Sequence, residues 1–144
     1  MLRQFLMGGL VSLLNITIHA LIMTTVIYVA RAASASAKET SYPSPYLLLV
    51  MIPTVTVLMG AHAVEVIVWS LAYSAVDAIP AGADPVYFAF VNYTTLGYGD
   101  VLPAPRWRLL GPITAMNGVL LFGWSTAVIF EVLRRALERG KMDR

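Results

Sequence analysis

Three apolar runs, each long enough to cross a bilayer as a helix, decide what this chain can become. A span takes about 20 helical residues, and the runs cover residues 5–30, 46–76 and 109–133. The first is interrupted only by Asn15, His19 and hydroxyl residues. The second contains Pro53, His62 and Glu65 and exceeds a straight span, so it tilts or lies partly in the interface. The third has Pro112 in its first turn, where a missing N–H costs little. Charge agrees with this reading. Of 144 residues 58% are hydrophobic and only 12% charged, where soluble domains average roughly 25% charged. The net charge is +2 and the basic residues sit at the ends of the apolar runs. They form no groove-sized patch, so a nucleic-acid partner is not expected. The absence of cysteine excludes disulfides, thiolate metal sites and cysteine nucleophiles. A soluble enzyme is excluded, and no enzymatic activity or small-molecule substrate is expected.

Residues 31–45 are small, polar and proline-tipped, a long loop between the first two spans. A secretory signal is the rival reading of the first span, because Arg3 precedes it and small residues follow at 33–37. Signal cores run about 7–15 residues, so the span is expected to be retained. No repeat of about 20–50 residues is visible.

Residues 77–108 are too polar at their ends to span and too apolar in the middle for an ordinary loop. Asp84-Pro85 reads as an N-cap followed by proline at the first helical position. The helix it starts, over 85–94, is aromatic-rich and short. A short helix followed by glycines between two spans predicts a re-entrant loop, tolerated at membrane depth only within protein or beside water.

After that helix comes Thr94-Thr95-Leu96-Gly97-Tyr98-Gly99-Asp100. A fixed Thr-x-Gly-Tyr-Gly-Asp string arises by chance on the order of once per million positions. Residues 84–135 resemble the pore-loop potassium channels, whose filter is spelled TVGYG, with Leu96 here in place of valine. The resemblance extends loosely to the second span as outer helix, and the chain looks like the small bacterial potassium channels. It implies a pore domain over 46–135: outer helix 46–76, pore helix 85–94, filter 95–100 and inner helix 109–135. An extra helix and cytoplasmic loop precede it at 1–45, and a short basic cytoplasmic tail follows at 136–144. The expected fold is an all-α membrane protein with three transmembrane helices, assembled as a tetramer.

The chemistry explains the residue types. A dehydrating potassium ion needs a stack of oxygens of comparable energy, and backbone carbonyls supply it when successive peptides point inward. Gly97 and Gly99 reach the required φ > 0 without Cβ strain. The resemblance implies that Thr95, Leu96, Gly97 and Tyr98 supply the carbonyls around permeating potassium, the Thr95 hydroxyl being the innermost ligand. It implies that Tyr98 points into an aromatic cuff, and that Asp100 concentrates cations at the outer mouth. The C-terminal dipole of the pore helix points toward the cavity. Many relatives carry a pore-helix glutamate where this chain has Val91. One filter strand cannot encircle an ion, so a homotetramer in lipid is expected, with no cofactor beyond the permeating ion.

On the third span, Gly118 is either a gating hinge or a packing position, and Gly123 follows Phe122 as in relatives. Asn117 faces either the cavity or a neighbouring helix. No span carries an arginine every third residue, so no voltage sensor is expected, and the tail is too short for a ligand-binding domain. With the outer mouth outside, the C-terminus is cytoplasmic, the N-terminus outside, and most basic residues lie inside. The expected location is the plasma membrane, the inner membrane in a bacterium.

His62 and Glu65 share one helix face, and Glu65 must face protein, with His62, His19 or Thr24 as partners. This cluster either clamps the first helix to the pore domain or gates it by protonation. Competing functions are a small proton-coupled carrier using His62 and Glu65, and a non-conducting or heteromeric channel subunit. The motif favours a potassium channel.

Overall fold

The computed structural model describes residues 1–36 and 43–142; the expected loop residues 37–42, including Lys38, and the terminal Asp143 and Arg144 lie outside it. Its elements are α1 (Leu2–Ser36), α2 (Pro43–Ala75), α3 (Pro85–Tyr93), a short 3-10 turn (Pro105–Trp107) and α4 (Leu110–Met142). No strand occurs among the described residues. Three helices are long and apolar enough to cross a membrane, and the protein is an all-α membrane protein.

α1 is apolar nearly all round, so hydrophobicity alone does not choose its buried side. Packing does: Gln4, Gly8, Val11, Asn15, His19, Met23 and Val26 recur every three or four residues and are buried. Leu6, Leu10, Leu13, Leu14 and Leu21 remain exposed. The helix runs past its expected end at residue 30 because Arg31 to Ser36 contains no breaker and is rich in alanine.

α4 also exceeds its expected end, and residues 136–142 continue the helix where a separate tail was expected. Ion pairs at helical spacing support that extension. Arg134 meets Glu131 and Glu138 at 2.8 Å each, and Arg135 meets Glu131. Each exposed pair contributes little on its own, because water and salt screen it.

α2 and α4 run antiparallel, pairing Tyr73 with Thr114, Trp69 with Asn117 and His62 with Ser125. α1 runs parallel to α4, since the Leu109 N–H donates to Gln4 Oε1 at 2.8 Å where both helices begin. α3 lies between α2 and α4, its Phe88, Ala89 and Tyr93 packed with Trp69, Tyr73 and Leu110 in one apolar core. A second core, built on Met23, Val26, Leu58, Val128 and Val132, fills the other end of the bundle. Between the two lies a buried polar layer of Asn15, His19, Glu65 and Asn117.

The start of α3 follows the sequence expectation. Asp84 caps it, accepting from the Val86 and Tyr87 N–H groups at 2.8 and 3.3 Å, with Pro85 in the first turn. Asp84→Ala is expected to cost about 1 kcal/mol and Asp84→Asn only a small fraction of that. Thermal melting of the purified protein in detergent checks this. Equal midpoints for Asp84→Ala and the parent protein would contradict the cap.

Candidate functional site

The segment that follows α3 hangs from the last turn of that helix. Thr94 N–H donates to Phe90 O at 3.0 Å, Thr95 N–H to Asn92 O at 3.0 Å, and Leu96 and Gly97 N–H both to Val91 O at 2.9 and 3.2 Å. These bonds satisfy carbonyls that a helix C-terminus otherwise leaves free. Val91 is itself buried.

Beyond that anchor the backbone alternates. Thr95, Gly97 and Gly99 have φ of 61°, 58° and 75°, while Leu96 and Tyr98 are not among the positive-φ residues. An extended L-chain points successive carbonyls to opposite sides. Alternating the sign of φ turns successive peptides toward one side, the arrangement a carbonyl-lined ion path needs. Gly97 and Gly99 were expected at φ > 0. Thr95 was not, and for a β-branched residue this region costs of order 1–3 kcal/mol. Such strain is held only where surroundings over-determine it, and here the four N–H bonds to the α3 terminus do so. All of 94–100 is exposed in the single chain, Leu96 by 55% and Tyr98 by 66%, so Tyr98 enters no cuff within its own chain.

Asp100 is held from α3. The Tyr87 hydroxyl donates to its carboxylate at 2.6 Å. That bond, with burial and the charge of Asp100 adding to it, raises the Tyr87 phenol above its ordinary range. The hydrogen bond is therefore complete below the usual tyrosine pKa and is lost only as pH climbs through the raised value. The sequence offered the pair as a tyrosine in the first turn of the short helix and an aspartate after the glycines, but no spacing rule joins them.

Behind the segment lies the polar layer. Glu65, fully buried, accepts from His19 Nδ1 at 2.7 Å through Oε1. Its Oε2 accepts from His62 Nδ1 at 2.9 Å and from the Tyr93 hydroxyl. His62 Nε2 lies 2.9 Å from Ser125 Oγ. Asn15 donates to the Glu65 carbonyl and to Asn117 Oδ1, both at 3.2 Å, and Trp69 Nε1 donates to the same Asn117 oxygen at 3.0 Å. One carboxylate thus joins α1, α2 and α3, and its histidines reach α4. The expected grouping of His19, His62 and Glu65 is present. Thr24 is not part of it, because its hydroxyl bonds Ala20 O on its own helix at 2.8 Å and is exposed. Tyr93, Ser125, Asn15 and Trp69 were missed. Their signal was spacing: Asn15 and His19, or Glu65 and Trp69, stand one turn apart on apolar helices.

Two expectations on α4 resolve. Asn117 is 2% exposed and bonded to α1 and α2, so it does not face a cavity in this chain. A Cβ on Gly118 would overlap the Tyr93 carbonyl oxygen. Gly118 is thus the point where the end of α3 closes onto α4, and packing explains it. Gly123 is exposed with open space around it, so close approach does not explain that glycine.

Long apolar helices with a short helix folded back between the second and third define an integral membrane protein with an inserted loop. Residues 54–135 match the family described as ion channel, more than half of the chain, and the protein belongs to that family. The match takes in most of α2, all of α3, the 94–100 segment and α4 to Arg135, and leaves out α1. No curated protein and no solved structure matches the chain.

Two outcomes follow from this geometry. Gly118→Ala should force α3 from α4 at a cost of about 1–3 kcal/mol or more, read as lost yield and a lower melting midpoint. A variant that melts normally and changes only channel opening would restore the hinge. Glu65→Leu removes the acceptor that His19, His62 and Tyr93 share, at roughly 1–3 kcal/mol for each buried donor left unpaired, whereas Glu65→Gln keeps an acceptor. A melting midpoint unchanged by Glu65→Leu would remove the clamp.

Proposed function

We propose that this ion channel is a potassium-selective pore in which four copies of the chain surround a central axis. The observation that carries the reading is the alternation of φ at Thr95, Gly97 and Gly99, in the Thr-Leu-Gly-Tyr-Gly order, directly after a short inserted helix. Carbonyls of Thr95, Leu96, Gly97 and Tyr98 replace the water of the permeating ion, and the Thr95 hydroxyl adds the innermost oxygen. One chain leaves this segment exposed along its length, which supports neighbours completing the ring. Those neighbours also provide the apolar surroundings that an exposed Tyr98 lacks.

Asp100, held by Tyr87, lies at the mouth of the path and raises the local cation concentration. α1 and α4 begin at the end of the bundle that carries residues 77–108. With that end outside, the N-terminus is external and the Arg134–Arg135 end of α4 cytoplasmic, in keeping with the positive-inside rule. Conduction is passive and needs no cofactor. The polar layer suits a structural joint better than a carrier, because Glu65 is fully buried and already accepts three donors.

Bi-ionic recordings of the reconstituted protein test selectivity. The reversal potential should favour potassium strongly over sodium, and comparable permeabilities would sink the reading. Gly97→Ala should abolish conduction or selectivity, since a Cβ strains φ of 58°. Native mass spectrometry in mild detergent should show tetramers, and a population of monomers and dimers alone would contradict the ring.

A further inference from the structure

The chain has two histidines, and both direct Nδ1 at the carboxylate of Glu65. One ring nitrogen of each histidine and a Glu65 oxygen lie within 4.8 Å of one another. We propose that His19, His62 and Glu65, with Tyr93 as a fourth oxygen ligand, form a structural site for a divalent transition metal such as zinc. The site fastens α1 to the channel domain and to the end of α3, and the proposal does not depend on which ion the pore conducts.

Every polar atom of this cluster has a hydrogen-bond partner, yet three of them crowd together. His62 Nδ1 lies 2.9 Å from both Glu65 Oε2 and the Tyr93 oxygen, and Tyr93 and Glu65 are themselves in contact. Three polar atoms therefore form a triangle. The imidazole and phenol hydrogens can fill two of its edges, both toward the carboxylate, and the His62–Tyr93 edge has none. Two imidazoles, a carboxylate and a phenol crowded in this way are groups that a metal ion can gather. A tetrahedral zinc ion, with bonds of about 2.0–2.1 Å, sets neighbouring ligands roughly 3.3 Å apart. The two contacts of His62 Nδ1 need to open by only a few tenths of an ångström to admit it, whereas Tyr93 and Glu65 must separate further and His19, which meets the other carboxylate oxygen, must swing toward the ion.

The far sides of the rings give the same answer. His62 Nε2 stands 2.9 Å and His19 Nε2 3.4 Å from the one Ser125 hydroxyl. If both Nδ1 atoms carry hydrogens, both Nε2 atoms are bare, and a single hydroxyl hydrogen serves only one of them. With metal on Nδ1, both Nε2 atoms carry hydrogens and the two lone pairs of Ser125 accept both. That is the outer-shell partner that metal-bound histidines ordinarily have.

Charge agrees. Glu65 and His19 are fully buried at mid-bundle, and no lysine or arginine lies on the described helices between Arg3 and Arg31, along α2, or between Arg108 and Arg134. A buried carboxylate needs a counter-charge. A divalent ion bound by the Glu65 carboxylate and the Tyr93 phenolate, with two neutral imidazoles, is formally neutral. An N2O2 donor set of this kind suits zinc. The His62 side chain is 15% exposed, and it marks the edge through which the ion enters.

The test uses the full chain without a histidine tag, purified in mild detergent. Protein is stripped with a membrane-permeant zinc chelator, reloaded with excess zinc and desalted, and bound metal is counted by mass spectrometry. About one zinc per chain is expected, with a melting midpoint that falls on stripping and recovers on reloading. Cobalt loaded in its place should give the intense visible bands of a four-coordinate nitrogen–oxygen site. Ser125→Ala should keep the stoichiometry and weaken zinc binding by about 10–100-fold. His19→Gln and His62→Gln should each lose the bound metal. Should those variants fail to fold, the strip-and-reload count and the cobalt spectrum of the parent chain decide alone. No retained zinc and no cobalt bands would overturn the proposal and leave a shared proton as the counter-charge. Zinc retained undiminished by well-folded histidine variants would overturn it as well, as binding elsewhere.

Discussion

A carboxylate in the middle of a membrane bundle has to be surrounded by donors, and the rest of this structure is arranged around Glu65. Lipid offers it nothing, and its cost at the centre of a span is several kcal/mol on the less generous scales. The described chain answers with donors from α1, its own helix and α3: His19, His62 and Tyr93. Because those donors belong to different helices, satisfying one side chain fixes how three helices sit. Apolar packing could not do this alone, since lipid tails compete equally for leucine faces.

Tyr93 gives the arrangement its reach. It is the last residue of α3, so its hydroxyl is held at Glu65 while its carbonyl lies against Gly118 of α4. The next residues carry the alternating backbone of Thr95, Gly97 and Gly99. The strained threonine can persist because the helix that precedes it is pinned on two sides and capped at its start by Asp84. α1 lies outside the part of the chain that matches the ion channel family, yet His19 and Asn15 place it in the same hydrogen-bonded layer. The first helix is thereby coupled to the backbone segment that follows α3.

Much of this was legible in the sequence. The three spans, the Asp84–Pro85 helix start and the pairing of His62 and Glu65 follow from run length, capping chemistry and helical spacing. What was not legible depends on contacts between helices. On α1 apolar residues cover every face, so only packing shows that Asn15 and His19 point inward. Asn117 was open between a cavity and a neighbour, and the neighbours Trp69 and Asn15 lie far away in sequence. Gly118 likewise looked equally suited to bending and packing until the Tyr93 carbonyl filled the space above it. The positive φ of Thr95 runs against its residue type, so no propensity could foresee it. The ends of α1 and α4 ran longer than expected because alanine and short-range ion pairs sustain helix where hydropathy has already fallen.

The membership of an ion channel family and the backbone of 95–99 together bear on a single physical claim: that this chain by itself builds a path in which carbonyls stand in for the hydration shell of potassium. The most direct measurement is ion flux into liposomes that contain only the purified chain. A potassium gradient should drive flux well above protein-free vesicles, and a sodium gradient of equal size should not. Equal flux with the two ions, or none with potassium, would contradict it.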